Sequence, residues 1–205
     1  MANFKSKSEV FETQSIFRLM LDALSKPGRL VKVPAEFLQK DEEPWPYEEA
    51  SPSYHPLFAK LAAVVLDPQV SFYAQEGMAQ DLALHTQAQL TSAEEADYLF
   101  ITKELAQGDL MELVAQAKAG TLFDPQQAAL LFCEVKRLEQ GFEQDGFALS
   151  GPGIKDRNYL KLSHPQLFEY RAARADEFPL GIDLVLFDEA SNLVGIPRTT
   201  LVKEL

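Results

Sequence analysis

Apolar residues recur at helical spacing in several parts of the chain. In residues 13–25 (TQSIFRLMLDALS) they fall on one side of a helix that Thr13 can cap. Pro27 ends this helix, because proline cannot continue the hydrogen-bond ladder. The same reasoning predicts further helices at 55–66, 108–120 and 164–178, and a short helix or turn at 77–85.

Short apolar runs bounded by turn residues predict strands. Residues 124–138 (DPQQAALLFCEVKRL) are ambiguous, because the apolar run is typical of a central strand whereas its start resembles a helix cap. We interpret this segment as mostly strand. The other predicted strands, of which the last two flank a Gly-Pro-Gly turn, are 30–33, 70–73, 96–102, 147–154 and 158–162.

The order of these elements indicates the fold class. Helices and strands alternate in the first two thirds of the chain, and strands dominate the last third. This order predicts an α/β fold in three layers, with a mixed central sheet and helices on both faces. Residues 39–53 are acidic and proline-rich and form a predicted loop, with Trp45 between two prolines. Since no repeat or long linker divides the chain, we expect one domain over residues 1–205.

The composition is that of an ordinary soluble globular protein. Of the 205 residues, 46% are hydrophobic and 24% are charged. The net charge of -12 argues against nucleic acid as the main partner. The first residues contain no apolar signal segment, and no apolar run approaches the roughly 20 residues that span a bilayer. We therefore expect a cytoplasmic protein with no membrane partner.

The sequence lacks the familiar catalytic and metal-binding motifs. It contains no P-loop, no HExxH or CxxC pair and no GxSxG elbow. Cys133 is the only cysteine and lies in an apolar run, which predicts a small buried hydrophobic residue. His55, His85 and His164 are far apart, so we expect no metal site. His55 and His164 each precede a proline, where a cap-like role at a helix start is expected.

Two charged residues accompany the apolar strands of a predicted C-terminal hairpin, FPLGIDLVLFDEASNLVGIPRTT. If the turn comprises residues 189–192, Asp188 lies opposite Leu193 and Asp183 lies opposite Arg198. A cross-strand carboxylate and guanidinium satisfy each other, so we favour a structural ion pair over a ligand site. A turn one residue longer would place the two side chains on opposite faces.

Basic residues are concentrated in the last third of the chain. Between positions 155 and 174 there are five basic and two acidic residues, although the whole chain carries a net charge of -12. The ordinary interpretation of such a run is a solvated surface. The alternative is contact with a phosphate-bearing ligand or an acidic partner. The five candidates for anion or partner contact are Lys155, Arg157, Lys161, Arg171 and Arg174.

Three blocks of the sequence resemble the PhnH family, whose members are subunits of the bacterial carbon–phosphorus lyase system. They are FRLMLDALSKPGRL near the N-terminus, LSGPGI in the middle, and FPLGIDLVLF followed by IPRTT at the end. The blocks occur in the order that is usual in the family. The resemblance extends over nearly the whole chain and is weakest in the middle third.

The resemblance implies both a fold and a role. The implied fold is similar to the large domain of pyridoxal-phosphate-dependent transferases, without the cofactor. The implied role is that of an accessory subunit of the core complex with which bacteria use alkylphosphonates. That complex replaces the adenine of ATP by a phosphonate, and a radical enzyme later breaks the carbon–phosphorus bond. The implied partners are the other subunits, with a homodimer expected for the isolated chain.

The family's motif residues have matches in this sequence, and the resemblance implies no catalytic residue among them. Leu201 is a departure, because some family members have histidine there, and this favours a structural role for the segment. We expect structural or interface roles for Pro27, Gly28, Gly151, Gly153, Gly181, Asp183, Pro197, Arg198, Thr199 and Thr200. Trp45 and the basic residues of the last third are candidate partner contacts.

Two alternatives remain open on residue chemistry. The first is an enzyme that itself binds pyridoxal phosphate or a nucleotide, which would need an active-site lysine. Lys103, Lys118 and Lys136 are available, but none lies in a recognisable motif. The second is a phosphonate- or triphosphate-binding module that uses Arg198 and the basic region.

Overall fold

The structure is a computed structural model that describes residues 7–38, 54–174 and 176–205. The predicted loop at 39–53, with Trp45, lies outside the described residues. The helices are α1 (Lys7–Ser25), α2 (Leu57–Val65), α3 (Met78–Thr86), α4 (Gln107–Gln116) and α5 (Gln166–Ala173). Short 3-10 segments occur at Ala35–Leu38 and Pro125–Gln127. Within the described ranges, none of the helices has the length and apolar character needed to cross a bilayer.

Strands occupy most of the remaining described chain. The first five are β1 (Val31–Lys32), β2 (Ser71–Ala74), β3 (Gln89–Leu90), β4 (Tyr98–Ile101) and β5 (Leu130–Val135). The next three are β6 (Leu138–Gln140), β7 (Phe147–Ser150) and β8 (Asn158–Leu162). The last three are β9 (Asp183–Asp188), β10 (Asn192–Ile196) and β11 (Leu201–Glu204).

The main sheet has seven strands in the order β1-β10-β9-β5-β4-β2-β3. β3, β2, β4, β5 and β9 run parallel to one another. β10 is antiparallel to β9, and β1 is antiparallel to β10. The predicted mixed central sheet is therefore confirmed. Parallel strands buried on both faces explain why the apolar runs of β5 and β9 are nearly continuous.

Side chains of the main sheet alternate between two cores. Helices α1, α2 and α3 cover one face, where Phe72, Phe100, Phe132 and Phe187 are fully buried. Helices α4 and α5 cover the other face, which buries the intervening strand residues such as Leu131. This alternation follows from the two-residue period of a strand. Helices lie on both faces, as predicted.

A second sheet was not predicted. Its four strands are antiparallel in the order β11-β7-β8-β6, and its apolar side chains join the core on the α4 and α5 face. The segment at 124–138 accordingly divides into a 3-10 turn, β5 and β6. The strand interpretation of its apolar run was correct, and the helix-like start is only the 3-10 turn at Pro125–Gln127. β11 gave no apolar signal because most of its residues are exposed.

β9 and β10 form the predicted C-terminal hairpin, but the predicted register was wrong by one residue. Leu193 lies opposite Phe187 rather than Asp188. The buried carboxylate of Asp188 accepts hydrogen bonds from both the main-chain and the side-chain nitrogen of Asn192, each at 2.9 Å. Ser191 adopts a left-handed conformation with φ of 60°. Five residues, 188–192, therefore separate the paired residues Phe187 and Leu193, so the turn is one residue longer than the 189–192 turn assumed from the sequence.

Candidate functional site

Asp183 and Arg198 are in contact in spite of the register error. Pairing between β9 and β10 ends at Ile196, and the chain then turns at Pro197, whose carbonyl accepts a hydrogen bond from the Thr200 amide. This turn brings Arg198 back towards the start of β9. Its main-chain nitrogen donates to Asp183 Oδ1 at 2.6 Å, and its guanidinium forms an ion pair with the same carboxylate. The Arg198 side chain is 17% exposed and the Asp183 side chain is 23% exposed, so the pair is mostly shielded from solvent.

Neighbouring arginines are bound to main-chain carbonyls. Arg198 donates to the carbonyl of Pro125 at 2.6 Å. Arg171 donates to the carbonyls of Pro197, Arg198 and Thr200 at 2.9 to 3.2 Å. Burial lowers the pKa of Arg171, while the carboxylates of Asp183 and Asp176 act in the opposite direction. These contacts attach the C-terminal turn to α5 and to the 3-10 turn before β5.

The five basic candidates are spread over different elements. Arg174 donates to the carbonyls of Val114 and Ala115 and pairs with Asp176. Lys161 on β8 pairs with Asp145. Lys155 and Arg157 are exposed in the turn between β7 and β8. A role of these residues in anion or partner contact stays a prediction.

A groove of about 370 Å³ lies beside the Asp183–Arg198 pair. One wall is formed by β11, and the other by α5 and residues 180–182. Its lining combines apolar side chains such as Phe147 and Phe168 with charged ones such as Glu169. Thr200 also lines the groove; it is 2% exposed, and its Oγ1 has no hydrogen-bond partner among the described residues.

A second cavity, which the sequence reasoning missed, lies at the carboxyl ends of β2 and β4. From β2 the chain passes through α3 to β3, whereas from β4 it passes through α4 to β5 on the other side and over the opposite face. In open α/β sheets such a reversal of direction opens a crevice that commonly binds ligands. Here the crevice measures about 520 Å³. The amide of Thr102 donates to Gln75 Oε1 at 2.8 Å and thereby links the two loops.

A buried ion pair lies in the wall of this crevice. Lys103, directly after β4, donates to Glu134 Oε1 at 2.6 Å, and the Glu134 side chain is only 3% exposed. The hydrogen bond to Glu134 is the main cause of the raised pKa of Lys103. Glu189, in the hairpin turn, lies 3.5 Å from the same ammonium group. The crevice lining otherwise carries carboxylates, those of Glu76, Glu104 and Asp109.

Two of the three histidines adjoin this crevice region. His55 lines it and accepts a hydrogen bond at Nδ1 from the Leu57 amide at 3.1 Å, so the expected cap-like role at the start of α2 is confirmed. Burial lowers the pKa of His55. Burial also lowers the pKa of His164, which lies near Lys103 and Glu134. The signal that could have found this region is a polar residue directly after each predicted parallel strand, because such strand ends meet at one edge of the sheet.

Comparison with known proteins identifies the family. Residues 4–203 match the family described as bacterial phosphonate metabolism protein (PhnH). The chain belongs to the PhnH family. It is also 30% identical over 199 residues to a protein of Rhizobium meliloti (strain 1021) named alpha-D-ribose 1-methylphosphonate 5-triphosphate synthase subunit PhnH. The match covers 93% of this chain and 90% of the relative.

The three sequence blocks that resemble PhnH contact one another in the structure. Gly153, with φ of 83°, lies so close to the end of α1 that an added Cβ would be 2.4 Å from the Ser25 carbonyl oxygen. A Cβ on Gly151 would lie 2.8 Å from the carbonyl oxygen of Thr199. The middle block therefore packs against both the first block and the last. At these positions the absence of a side chain permits a close approach of main chains.

Proposed function

We propose that this chain is an accessory subunit of the complex that makes alpha-D-ribose 1-methylphosphonate 5-triphosphate, within the carbon–phosphorus lyase system. The observation that carries the proposal is the PhnH family match over residues 4–203. The name of the Rhizobium meliloti relative, a synthase subunit, supports it. Its partners would be the other subunits of that complex.

The residue chemistry supports an accessory role for this subunit. Burial raises the pKa of the Cys133 thiol to about 12, so it is not a nucleophile at neutral pH. Asp183 and Arg198 neutralise each other, and the donors of Arg171 are directed at main-chain carbonyls. The Asp183–Arg198 ion pair and the close main-chain approaches at Gly151 and Gly153 are contacts that support a fixed surface, which a subunit needs.

Exposed apolar side chains offer surface for a partner. Val10, Phe17 and Leu21 fall within one narrow stripe of α1 and are 42% to 55% exposed. Phe123 and Phe178, in loops, are 96% and 78% exposed. Large apolar side chains grouped on a surface are typical of protein–protein interfaces.

The test is co-expression of this chain with the other synthase subunits from the same organism, followed by native mass measurement. We expect an assembly of fixed stoichiometry that contains the chain. We also expect that the assembly prepared without it makes less product from ATP and methylphosphonate, and that adding the purified chain restores the rate. A chain that purifies alone under all these conditions would contradict the proposal.

A small-molecule-binding function is the second candidate, because the crevice lies where α/β sheets commonly bind ligands. Its lining holds four carboxylates, those of Glu76, Glu104, Asp109 and Glu134, against the single ammonium of Lys103. This charge opposes pyridoxal phosphate or a free nucleotide. Calorimetric titration of the isolated chain with ATP, methylphosphonate and pyridoxal phosphate separates the two functions. Heat of binding, or an aldimine absorption band, would favour the second.

Four finer properties complete the proposal. The fold would be similar to the large domain of pyridoxal-phosphate-dependent transferases, the isolated chain would form a homodimer, and the protein would work in the cytoplasm. The single-domain organisation over residues 1–205 belongs with them. Light scattering of the purified chain measures its mass in solution and decides the oligomeric state.

A further inference from the structure

We infer that the free edge of β11 receives an extended segment of another synthase subunit, which adds a strand to the four-stranded sheet. This inference rests on the proposed function and names where one subunit contact lies. β11 is the outer strand of its sheet, and none of the other described strands pairs with its second edge. Its residues are mostly exposed, and Leu201 is 71% exposed.

The register of β11 decides which main-chain groups face the free edge. β11 pairs antiparallel with β7, Lys203 opposite Ala148, and the Leu205 amide donates to the Gly146 carbonyl at 3.1 Å. In an antiparallel pair, alternate residues direct their N–H and C=O groups to the same neighbour. Lys203 therefore bonds to β7, whereas Val202 and Glu204 direct their main-chain groups outwards. Another extended main chain is the partner that matches such groups in register.

The groove beside this edge accommodates side chains of an incoming strand. It measures about 370 Å³, and Phe147, Phe168 and Val202 supply apolar surface. Thr200, at the beginning of the edge, has a buried hydroxyl without a hydrogen-bond partner among the described residues. A buried hydroxyl in this state is unfavourable.

Charge indicates what kind of segment fits. Arg171 and Arg198 line the groove, but their guanidinium groups bind main-chain carbonyls and Asp183. The carboxylates of Glu169 and Glu204 also line it. The segment that complements this lining is extended, with an apolar side chain for the groove and a lysine or arginine beside it.

A second copy of this chain complements the edge poorly. Two β11 strands in antiparallel pairing about a central Lys203 would place that lysine opposite its copy. Pairing about Glu204 would place the two carboxylates opposite each other. Like charges directly opposite are destabilising in a sheet. Pairing about Val202 would place Glu204 of one copy opposite Thr200 of the other, and the Thr200 carbonyl is already bound by Arg171.

The decisive experiment compares Glu204→Pro with Glu204→Ala. Proline removes the outward N–H and leaves the bonds of Lys203 to β7 in place, whereas alanine removes only the carboxylate. Each full-length variant is titrated onto the synthase assembly prepared without this chain, with binding measured by biolayer interferometry. We expect the dissociation constant to rise about tenfold or more for Glu204→Pro and to change by no more than about threefold for Glu204→Ala.

The outcomes are distinguishable from failure of the proposed function. If the wild-type chain joins the assembly and Glu204→Pro joins equally well, strand addition at β11 is wrong while the subunit proposal stands. If both variants weaken binding equally, the carboxylate makes the contact and strand addition is again wrong. If the wild-type chain does not join at all, the proposed function fails first.

Hydrogen exchange of the wild-type chain provides a second measurement, which holds even if the proline variant does not fold. In the assembly, the amides of Val202 and Glu204 should exchange more slowly than in the isolated chain. Unchanged exchange at both amides would overturn the inference. Protection that instead grows with the concentration of the isolated chain would identify a second copy as the occupant and would also overturn it.

Discussion

Replacement of Gly153 by alanine is expected to destabilise the protein markedly. The added Cβ would lie 2.4 Å from the Ser25 carbonyl oxygen and 2.9 Å from Pro27 Cδ, so main chain at the end of α1 must shift. The φ of 83° adds the cost of a left-handed conformation, on the order of 1 kcal/mol or more. Overpacking of a close contact costs about 1–3 kcal/mol, and restriction of the unfolded chain offsets about 0.5 kcal/mol. The net loss is about 2–4 kcal/mol.

Thermal unfolding followed by circular dichroism measures this loss. For a chain of this size, each kcal/mol corresponds to about 2–4 °C, so Tm should fall by about 5–15 °C. Gly108→Ala is the matched control, because a Cβ at Gly108 in α4 would meet nothing within 4 Å. That variant should keep or slightly raise Tm. Equal melting of both variants and the wild type would refute the close packing of the glycine turn against the end of α1.

Three further predictions concern the charged and buried groups. Because burial lowers the pKa of His55, the unfolded chain takes up the proton first, so the contribution of His55 to stability is present above the ordinary histidine pKa of about 6.5 and is lost as pH falls. The free energy of urea unfolding should therefore drop between about pH 7 and 5, and less so in His55→Asn, which keeps an acceptor for the helix start. Asp183→Ala should cost about 2–3 kcal/mol, because Arg198 and its amide lose their acceptor, and Asp183→Asn should cost less; urea unfolding at pH 7 compares them. Native Cys133 should resist a thiol reagent that labels it in denaturant, and rapid labelling of the folded chain would contradict its burial.

The sequence predicted the parts of the fold that depend on local pattern. Apolar spacing located α2 and most of α1, which begins at Lys7 rather than at the expected cap Thr13, and the continuous apolar run of β5 indicated a strand buried on both faces. Local signals failed where side-chain hydrogen bonds change the number of residues in a turn. The Asp188 carboxylate accepts a hydrogen bond from Asn192 across a turn that is one residue longer than assumed, and the longer turn shifts the register of β10. No apolar pattern marked β11, because an exposed edge strand buries little.

The candidate sites also differ in whether the sequence could predict them. Asp183 and Arg198 were recognisable from sequence, since two charges beside apolar strands need a counter-charge, and the structure shows their ion pair. The PhnH blocks were recognisable as well, but not their mutual contacts. The crevice at β2 and β4 could not be predicted, because it depends on strand order and on the faces that α3 and α4 cover. Local composition determines which segments bury apolar surface, whereas the crevice, the Lys103–Glu134 pair and the free edge of β11 depend on which segments become neighbours in space.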